Sequence, residues 1–230
     1  MLLEVNNLCK KFHNKKVLED ISFTLQEGKV LGILGPNGKG KTTLLNSIYS
    51  FIKCDKGSIK IDGINVGIET KKIVSYLQDK ATFPKKMTIQ GAIDFYNDFF
   101  HDFNMEKMEK LLIEMNLNRQ DNISDLSKGM TEKLFLSLAL SRDSRLFLLD
   151  DPLSCGDPVA WEKIIYSIIN NISEESSMII TTHYVGELEN IFDEVIFIGE
   201  GGIVEMGDAE DLRIKYNASI DGIYRKVFAE

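Results

Sequence analysis

The segment Gly35-Pro36-Asn37-Gly38-Lys39-Gly40-Lys41-Thr42 matches the spacing G-x-x-x-x-G-K-[ST], which suits a polyphosphate. Its glycines let the backbone curl so that successive N–H groups face inward as an anion nest. A helix opening near Lys41 adds partial positive charge at the same place. Lys41 brings a mobile full charge for the β and γ phosphates, and the Thr42 hydroxyl suits a Mg²⁺ ion. The candidate phosphate-binding set is therefore Gly35, Asn37, Gly38, Lys39, Gly40, Lys41, Thr42 and Thr43. A second constellation is Arg145-Leu146-Phe147-Leu148-Leu149-Asp150-Asp151-Pro152, two carboxylates at the C-terminal end of an apolar strand. Open α/β sheets bind ligands at that end of their strands. Asp150 can hold Mg²⁺ through water opposite Thr42, and Asp151 can orient an attacking water.

The elements that must position these groups alternate in type. Leu2 to Val5 and Ile21 to Leu25 read as short strands around the basic stretch Lys10 to Lys16, an antiparallel opening. Val30 to Leu34 is continuously apolar, as a strand buried on both faces requires, and the glycine loop and a helix follow it. Gly57 to Gly63 adds another short strand. From about Thr82 the spacing turns helical through Ile89, Ala92, Ile93, Tyr96, Phe99, Phe100 and Phe103, and again through Met108, Leu111, Leu112 and Met115. That Met and Phe stripe reads as core, with contact to a partner as the alternative. After Lys133 come a strand at Leu146 to Leu149, a helix face of Trp161, Ile164, Ile165 and Ile168, a strand at Met178 to Thr182, and a hairpin of Glu194 to Ile198 with Gly202 to Met206. The pattern is α/β with a helical insert.

Length and composition are compatible with this. A chain of 230 residues with 43% hydrophobic and 27% charged residues can bury one contiguous core. No apolar run reaches membrane-spanning length, and no leader-like segment opens the chain, so neither secretion nor membrane crossing is expected. Cysteines at 9, 54 and 155 share no short spacing, which fits reduced thiols better than disulfides or a zinc site. A net charge of −8 argues against nucleic acid as a partner.

At this point the chain resembles the ATP-binding cassette family, the nucleotide-binding subunits of ABC transporters, over essentially its full length and in the family's order of motifs. Leu126-Ser127-Lys128-Gly129-Met130 is similar to the signature LSGGQ, placed at the start of a helix. By the same resemblance Phe12 stacks on adenine, Gln78 is the Q-loop glutamine that reaches Mg²⁺ and water, Asp157 is the D-loop aspartate, and His183 is the switch histidine at the end of a strand. Ser127 and Gly129 are kept, so a hydroxyl and a backbone N–H can still grip the γ-phosphate of ATP on a second subunit. Three departures stand out. Lys128 and Met130 replace the family's Gly and Gln, a form that resembles some bacterial exporting subunits. Leu153-Ser154-Cys155-Gly156-Asp157 replaces the usual D-loop, with Cys155 read as a small buried residue. Asp151 stands where the catalytic Glu is expected.

The resemblance implies a P-loop NTPase core with a mostly parallel sheet, an N-terminal antiparallel β subdomain and an inserted helical subdomain at about 81–132, all within one ABC ATPase domain over 1–230. It implies ATP and Mg²⁺ as cofactors, with Asp151, His183 and Gln78 catalytic and Thr42, Gln78 and Asp150 at the metal. The implied partners are a second ATP-binding subunit, identical or not, and a membrane-spanning transporter subunit. That partner holds the chain at the cytoplasmic face of the membrane and meets the helical lobe near Gln78. The rival reading is an ATP-dependent dimerising switch with little hydrolysis, suggested by Asp151 and the altered signature. A GTPase is disfavoured by the lack of an N-K-x-D motif. Translation factors carry two cassettes and repair proteins a long coiled coil, and neither feature is present. Lys41→Ala is expected to abolish most ATP binding in an equilibrium titration, because lysine alone supplies the mobile charge. An unchanged affinity would remove this loop from the phosphate assignment.

Overall fold

The computed structural model describes residues 1–78, 83–84, 86–154, 158–171 and 174–229, with the side chains of 158–160 left aside. Asp157 and Cys155 lie outside the described residues, as does the expected start of the helical lobe at 81. The chain opens with strands β1 (Leu3–Phe12) and β2 (Lys15–Leu25), which pair antiparallel with Leu3 opposite Leu25 and Phe12 opposite Lys15. Both strands run through the basic stretch that the sequence left between them. Exposed lysines alternate there with inward residues such as Leu8 and Leu18, and register shifts let the hairpin twist. With β4 (Lys56–Ile61) and the short β5 (Ile64–Asn65) they form a sheet in the order β2-β1-β4-β5.

A second sheet carries the site. β3 (Val30–Leu34), β6 (Val74–Leu77), β7 (Leu146–Asp150), β8 (Ser177–Thr182), β9 (Glu194–Gly199) and β10 (Gly202–Asp208) lie in the order β10-β9-β3-β8-β7-β6. Every neighbouring pair in it is parallel except β9 with β10, the expected closing hairpin. The two-residue alternation of strands divides the core into two. Val30, Leu34, Phe147, Leu149, Met178 and Ile180 join the helices of one side. Leu31, Ile33, Leu146, Leu148 and Ile179 pack with α1 (Lys41–Ile48) and the antiparallel sheet on the other. Burial on both faces explains why these strands read as unbroken apolar runs.

The helical insert comprises α2 (Ile89–Phe99) and α3 (Met105–Met115), capped by the side chains of Thr88 and Asn104, and α4 (Lys128–Leu140), capped by Ser127. The second half of the expected core stripe holds, since Met108, Leu111, Leu112 and Met115 are buried. The first half needs correction. α2 ends at Phe99, which is 67% exposed, and its neighbour Phe95 is 49% exposed. The two rings stack on each other at 5.7 Å on an open face, because only the Ile89, Ala92 and Ile93 side meets the core. α5 (Pro158–Asn170) buries Ile164 and Ile168. α6 (Val185–Leu188), α7 (Ala209–Tyr216) and α8 (Ile220–Phe228) complete the chain and had not been read from the sequence.

One buried ion pair joins the insert to the sheet. Arg142, only 2% exposed, meets both carboxylate oxygens of Asp102 at 3.0 and 2.9 Å and donates to the backbone oxygens of Val74 at 2.6 Å and Lys72 at 3.1 Å. The Phe100 ring centroid lies 4.1 Å from its guanidinium carbon. Asp102→Ala would leave that guanidinium buried without its carboxylate. A loss of about 2 kcal/mol is expected, discounted because Asp102 is partly exposed, and it should read as a lower urea midpoint at unchanged slope.

Candidate nucleotide site

Parallel pairing sends the C-terminal ends of β3, β8, β7 and β6 to one edge of the sheet. In that order the edge carries the phosphate loop after Leu34, His183 after Thr182, the Asp150-Asp151 pair, and Gln78 after Leu77. Residues far apart in the chain become lateral neighbours for this reason alone.

The loop has the backbone that its glycines foretell. Gly38 and Gly40 have φ of 77° and 104°, and a Cβ on Gly40 would meet the carbonyl oxygen of Val17 at 2.7 Å. Alanine there would collide with β2 as well as strain the turn. Lys41 opens α1 and is buried, with Nζ folded back to donate to the carbonyl oxygens of Gly35 at 2.6 Å and Pro36 at 3.1 Å. Burial pushes its ammonium below the ordinary lysine value, while the carboxylates of Asp151 and Asp150 pull it the other way. A cavity of about 430 Å³ opens over this loop, lined by Val17, Asn37, Gly38, Gly40, Lys41, Thr42, Thr43, Asp150 and Asp151. Lys39 leans out of it to an ion pair with Glu200 in the β9–β10 turn.

Asp150 ends β7 buried, and its Oδ1 accepts from the Thr42 hydroxyl at 3.2 Å and the Thr181 hydroxyl at 2.7 Å. Asp151 takes a left-handed backbone (φ 52°), where aspartate is among the better tolerated residues. Its N–H meets the Thr181 carbonyl at 3.0 Å and hydroxyl at 3.1 Å, and its Oδ2 stands 2.9 Å from His183 Nδ1. The His183 ring packs on Tyr184, and Tyr184 in turn on Trp161.

Gln78 faces the two aspartates from the other side, across a cavity of about 200 Å³ that Leu126, Lys128, Glu132 and Ser154 also line. Lys128 Nζ donates to the Ser154 carbonyl at 2.6 Å, and the Ser154 hydroxyl donates to Glu132 at 2.6 Å. The altered signature residue thus ties α4 to the segment that follows Asp151, while most of its side chain stays in solvent. The Ser127 hydroxyl accepts from the Met130 N–H at 3.2 Å as the cap of α4. Neither Ser127 nor Gly129 lines either cavity. Phe12 lies at the end of β1, 43% exposed, with Lys10 Nζ 5.3 Å from its ring centroid.

The structure therefore brings together Gly38, Gly40, Lys41, Thr42, Asp150, Asp151 and His183, sets Gln78 across a cavity from the aspartates, and leaves Ser127 and Gly129 outside both linings. Sequence reasoning missed Val17, Glu132 and Thr181, and it named Ser154 only within the D-loop motif, without its bonds to Lys128 and Glu132. Of the three missed, Thr181 left a trace, as a hydroxyl following the apolar run Met178 to Ile180.

The residues fit a Mg-nucleotide. The loop is shaped for anions by its positive-φ glycines, a buried lysine is held at its tip by two carbonyl oxygens, and a threonine hydroxyl and a buried carboxylate stand side by side as hard oxygen donors. Such a site on a parallel sheet with a helical insert defines a P-loop ATPase. The chain belongs to the ABC transporter family, whose model, described as ABC transporter, matches residues 18–154. It is 26% identical over 218 residues to the ABC transporter ATP-binding protein YtrB of Bacillus subtilis (strain 168), covering 94% of this chain and 75% of that protein. It is 27% identical over 222 residues to the lipopolysaccharide export system ATP-binding protein LptB of Haemophilus influenzae, covering 92% of each. Its fold superposes on a structure described as an ATP binding subunit of an ABC transporter with a TM-score of 0.88 at 24% identity, over 99% of both chains. The chain is thus an ATP-binding and ATP-hydrolysing subunit that powers transport through a membrane-spanning partner. The switch reading with little hydrolysis finds no support in these likenesses. Among the described residues no helix is long and apolar enough to cross a membrane.

Proposed function

We propose that Lys41 and the backbone N–H groups of the 35–42 loop hold the triphosphate of ATP, while Phe12 offers its exposed face to the adenine. Thr42 and Asp150 would hold Mg²⁺, with Gln78 approaching from the far side. When bound, that ion neutralises charge on the β and γ oxygens. Asp151 orients the attacking water and takes up its proton, with the imidazole of His183 fixing the carboxylate. The observation that carries this reading is the adjacency of two pairs at one sheet edge, Thr42 with Asp150 at 3.2 Å and Asp151 with His183 at 2.9 Å.

Ser127 and Gly129 lie on the insert, away from the phosphate loop of their own subunit, so their phosphate contacts fall on ATP held by a second subunit, with Asp157 at the same junction. Hydrolysis removes the γ-phosphate that bridges the two subunits and releases them. The helical lobe at about 81–132 meets the membrane partner at the cytoplasmic face, beside Gln78. The exposed Phe95 and Phe99 pair supports this, for it borders an aromatic groove of about 350 Å³ that Tyr49, Tyr76 and Gln78 also line.

In sedimentation of the hydrolysis-blocked Asp151→Asn variant, ATP and not ADP should give a dimer, and adding Ser127→Arg should remove it. A dimer equally strong with ADP, or indifferent to Ser127→Arg, would contradict the two-subunit arrangement.

Turnover is expected to be slow, because an aspartate carboxylate stops roughly 1.5 Å, one carbon–carbon bond, short of where a glutamate's reaches. Asp151→Glu should raise kcat by about tenfold with ATP affinity nearly unchanged, the gain being held down by the left-handed backbone that glutamate tolerates less well. A fall in kcat would show that backbone fit, and not reach, governs position 151.

A further inference from the structure

β8 is buried throughout, and its inward residues Met178, Ile179 and Ile180 are what a central strand demands. Valine would fill the place of Thr181 at equal volume with better strand propensity. The threonine instead carries a hydroxyl into a fully buried position, where a polar group costs stability unless it is hydrogen-bonded. Thr181 sits directly beside Asp150 in the parallel register of β7 and β8, and strand alternation puts its side chain on the α1 side of the sheet, the side of Ile179. That is where Thr42 approaches. One hydroxyl can donate once and accept twice. Here it donates to Asp150 Oδ1 at 2.7 Å and accepts from the Asp151 N–H at 3.1 Å.

The geometry points to Thr181 as a positioning residue for both carboxylates, setting the rotation of the Asp150 carboxylate toward Mg²⁺ and bracing the left-handed backbone that aims Asp151 at His183. It is fully buried and does not line the cavity over the phosphate loop, so it acts through the two aspartates. The Asp150 carboxylate also accepts from Thr42 on the same oxygen, so two hydroxyls from different elements hold that oxygen. Removing the nearer one, at 2.7 Å, weakens the hold on the carboxylate's rotation about its last bond. The Asp151 N–H keeps the Thr181 carbonyl at 3.0 Å as a second acceptor, so the segment stays attached when the hydroxyl is lost. The effect sought is therefore one of aim, not of folding.

The inference rests on the ATP-site reading above, and the test separates the two. In the full chain, Thr181→Val removes the hydroxyl at constant volume, and Thr181→Ser keeps it without the methyl. Equilibrium titration with a non-hydrolysable ATP analogue at stepped Mg²⁺ gives the half-saturating Mg²⁺ concentration without requiring turnover. Thr181→Val should raise it by about 10- to 100-fold, the range typical of groups that orient a metal ligand, with binding of the analogue in EDTA changed less than about twofold. In the presence of the membrane partner, kcat should fall by a similar factor with KM for ATP little moved, and Thr181→Ser should restore both readings. Thr181→Ala, which brings no methyl against Asp150, carries the same expectations should Thr181→Val fail to fold. A parent-like Mg²⁺ dependence in the Val and Ala variants, or a Ser variant as impaired as Val, would overturn the assignment of Thr181 alone. Analogue binding by the unsubstituted chain with no dependence on Mg²⁺ would instead overturn the site reading itself.

Discussion

The buried carboxylate of Asp150 is the constraint around which the site is arranged. A charge at 3% exposure is costly unless donors surround it, and the donors come from two other elements, Thr42 at the start of α1 and Thr181 on β8. Satisfying one carboxylate thus fixes the helix that carries the phosphate loop against two strands of the sheet. The position of Lys41 follows, since it directly precedes Thr42 at the helix start. So does that of Asp151, whose amide shares the same threonine.

The insert is tied to this edge at two levels. Deep in the molecule Arg142 joins Asp102, which follows α2, to the backbone of Val74 where β6 begins, three residues before its end at Leu77 and the adjoining Gln78. At the surface Lys128 and Glu132 of α4 both bond to Ser154, whose N–H returns to the Asp151 carbonyl at 3.2 Å. The first link is buried and ionic; the second is half in solvent and made of exchangeable side-chain contacts, so it is the weaker of the two. The lobe is thus held more firmly through Asp102 than at its signature. Lys128, the departure from the family's glycine, belongs to the light link.

Position 151 combines two local choices that agree. The chain turns there through a left-handed residue immediately before Pro152, and aspartate accepts that backbone better than a longer or branched side chain. The same turn brings its carboxylate to His183 within 2.9 Å. Shortening the acid by one methylene is thus accompanied by a backbone that suits the shorter residue and a histidine already beside it.

The sequence by itself determined the elements whose signals are local. Val30–Leu34 and Leu146–Asp150 were legible because burial on both faces leaves an unbroken apolar run, and the phosphate loop because its conformation demands glycines at fixed places. The helix start at Ser127 was legible from the signature motif, and the structure adds that its side chain caps α4. The motif of β6, Val74-Ser75-Tyr76-Leu77, was not, for an edge strand of four mixed residues has no period to show. The Phe stripe was misread in part because helical spacing says which residues share a face and not whether a neighbour covers it. Tertiary structure alone decided that Thr181, Asp150 and Thr42 meet, that Val17 roofs Gly40, and that Lys128 reaches Ser154. Those meetings depend on which strands pair and in what register, and pairing is a relation between distant segments that no single segment encodes.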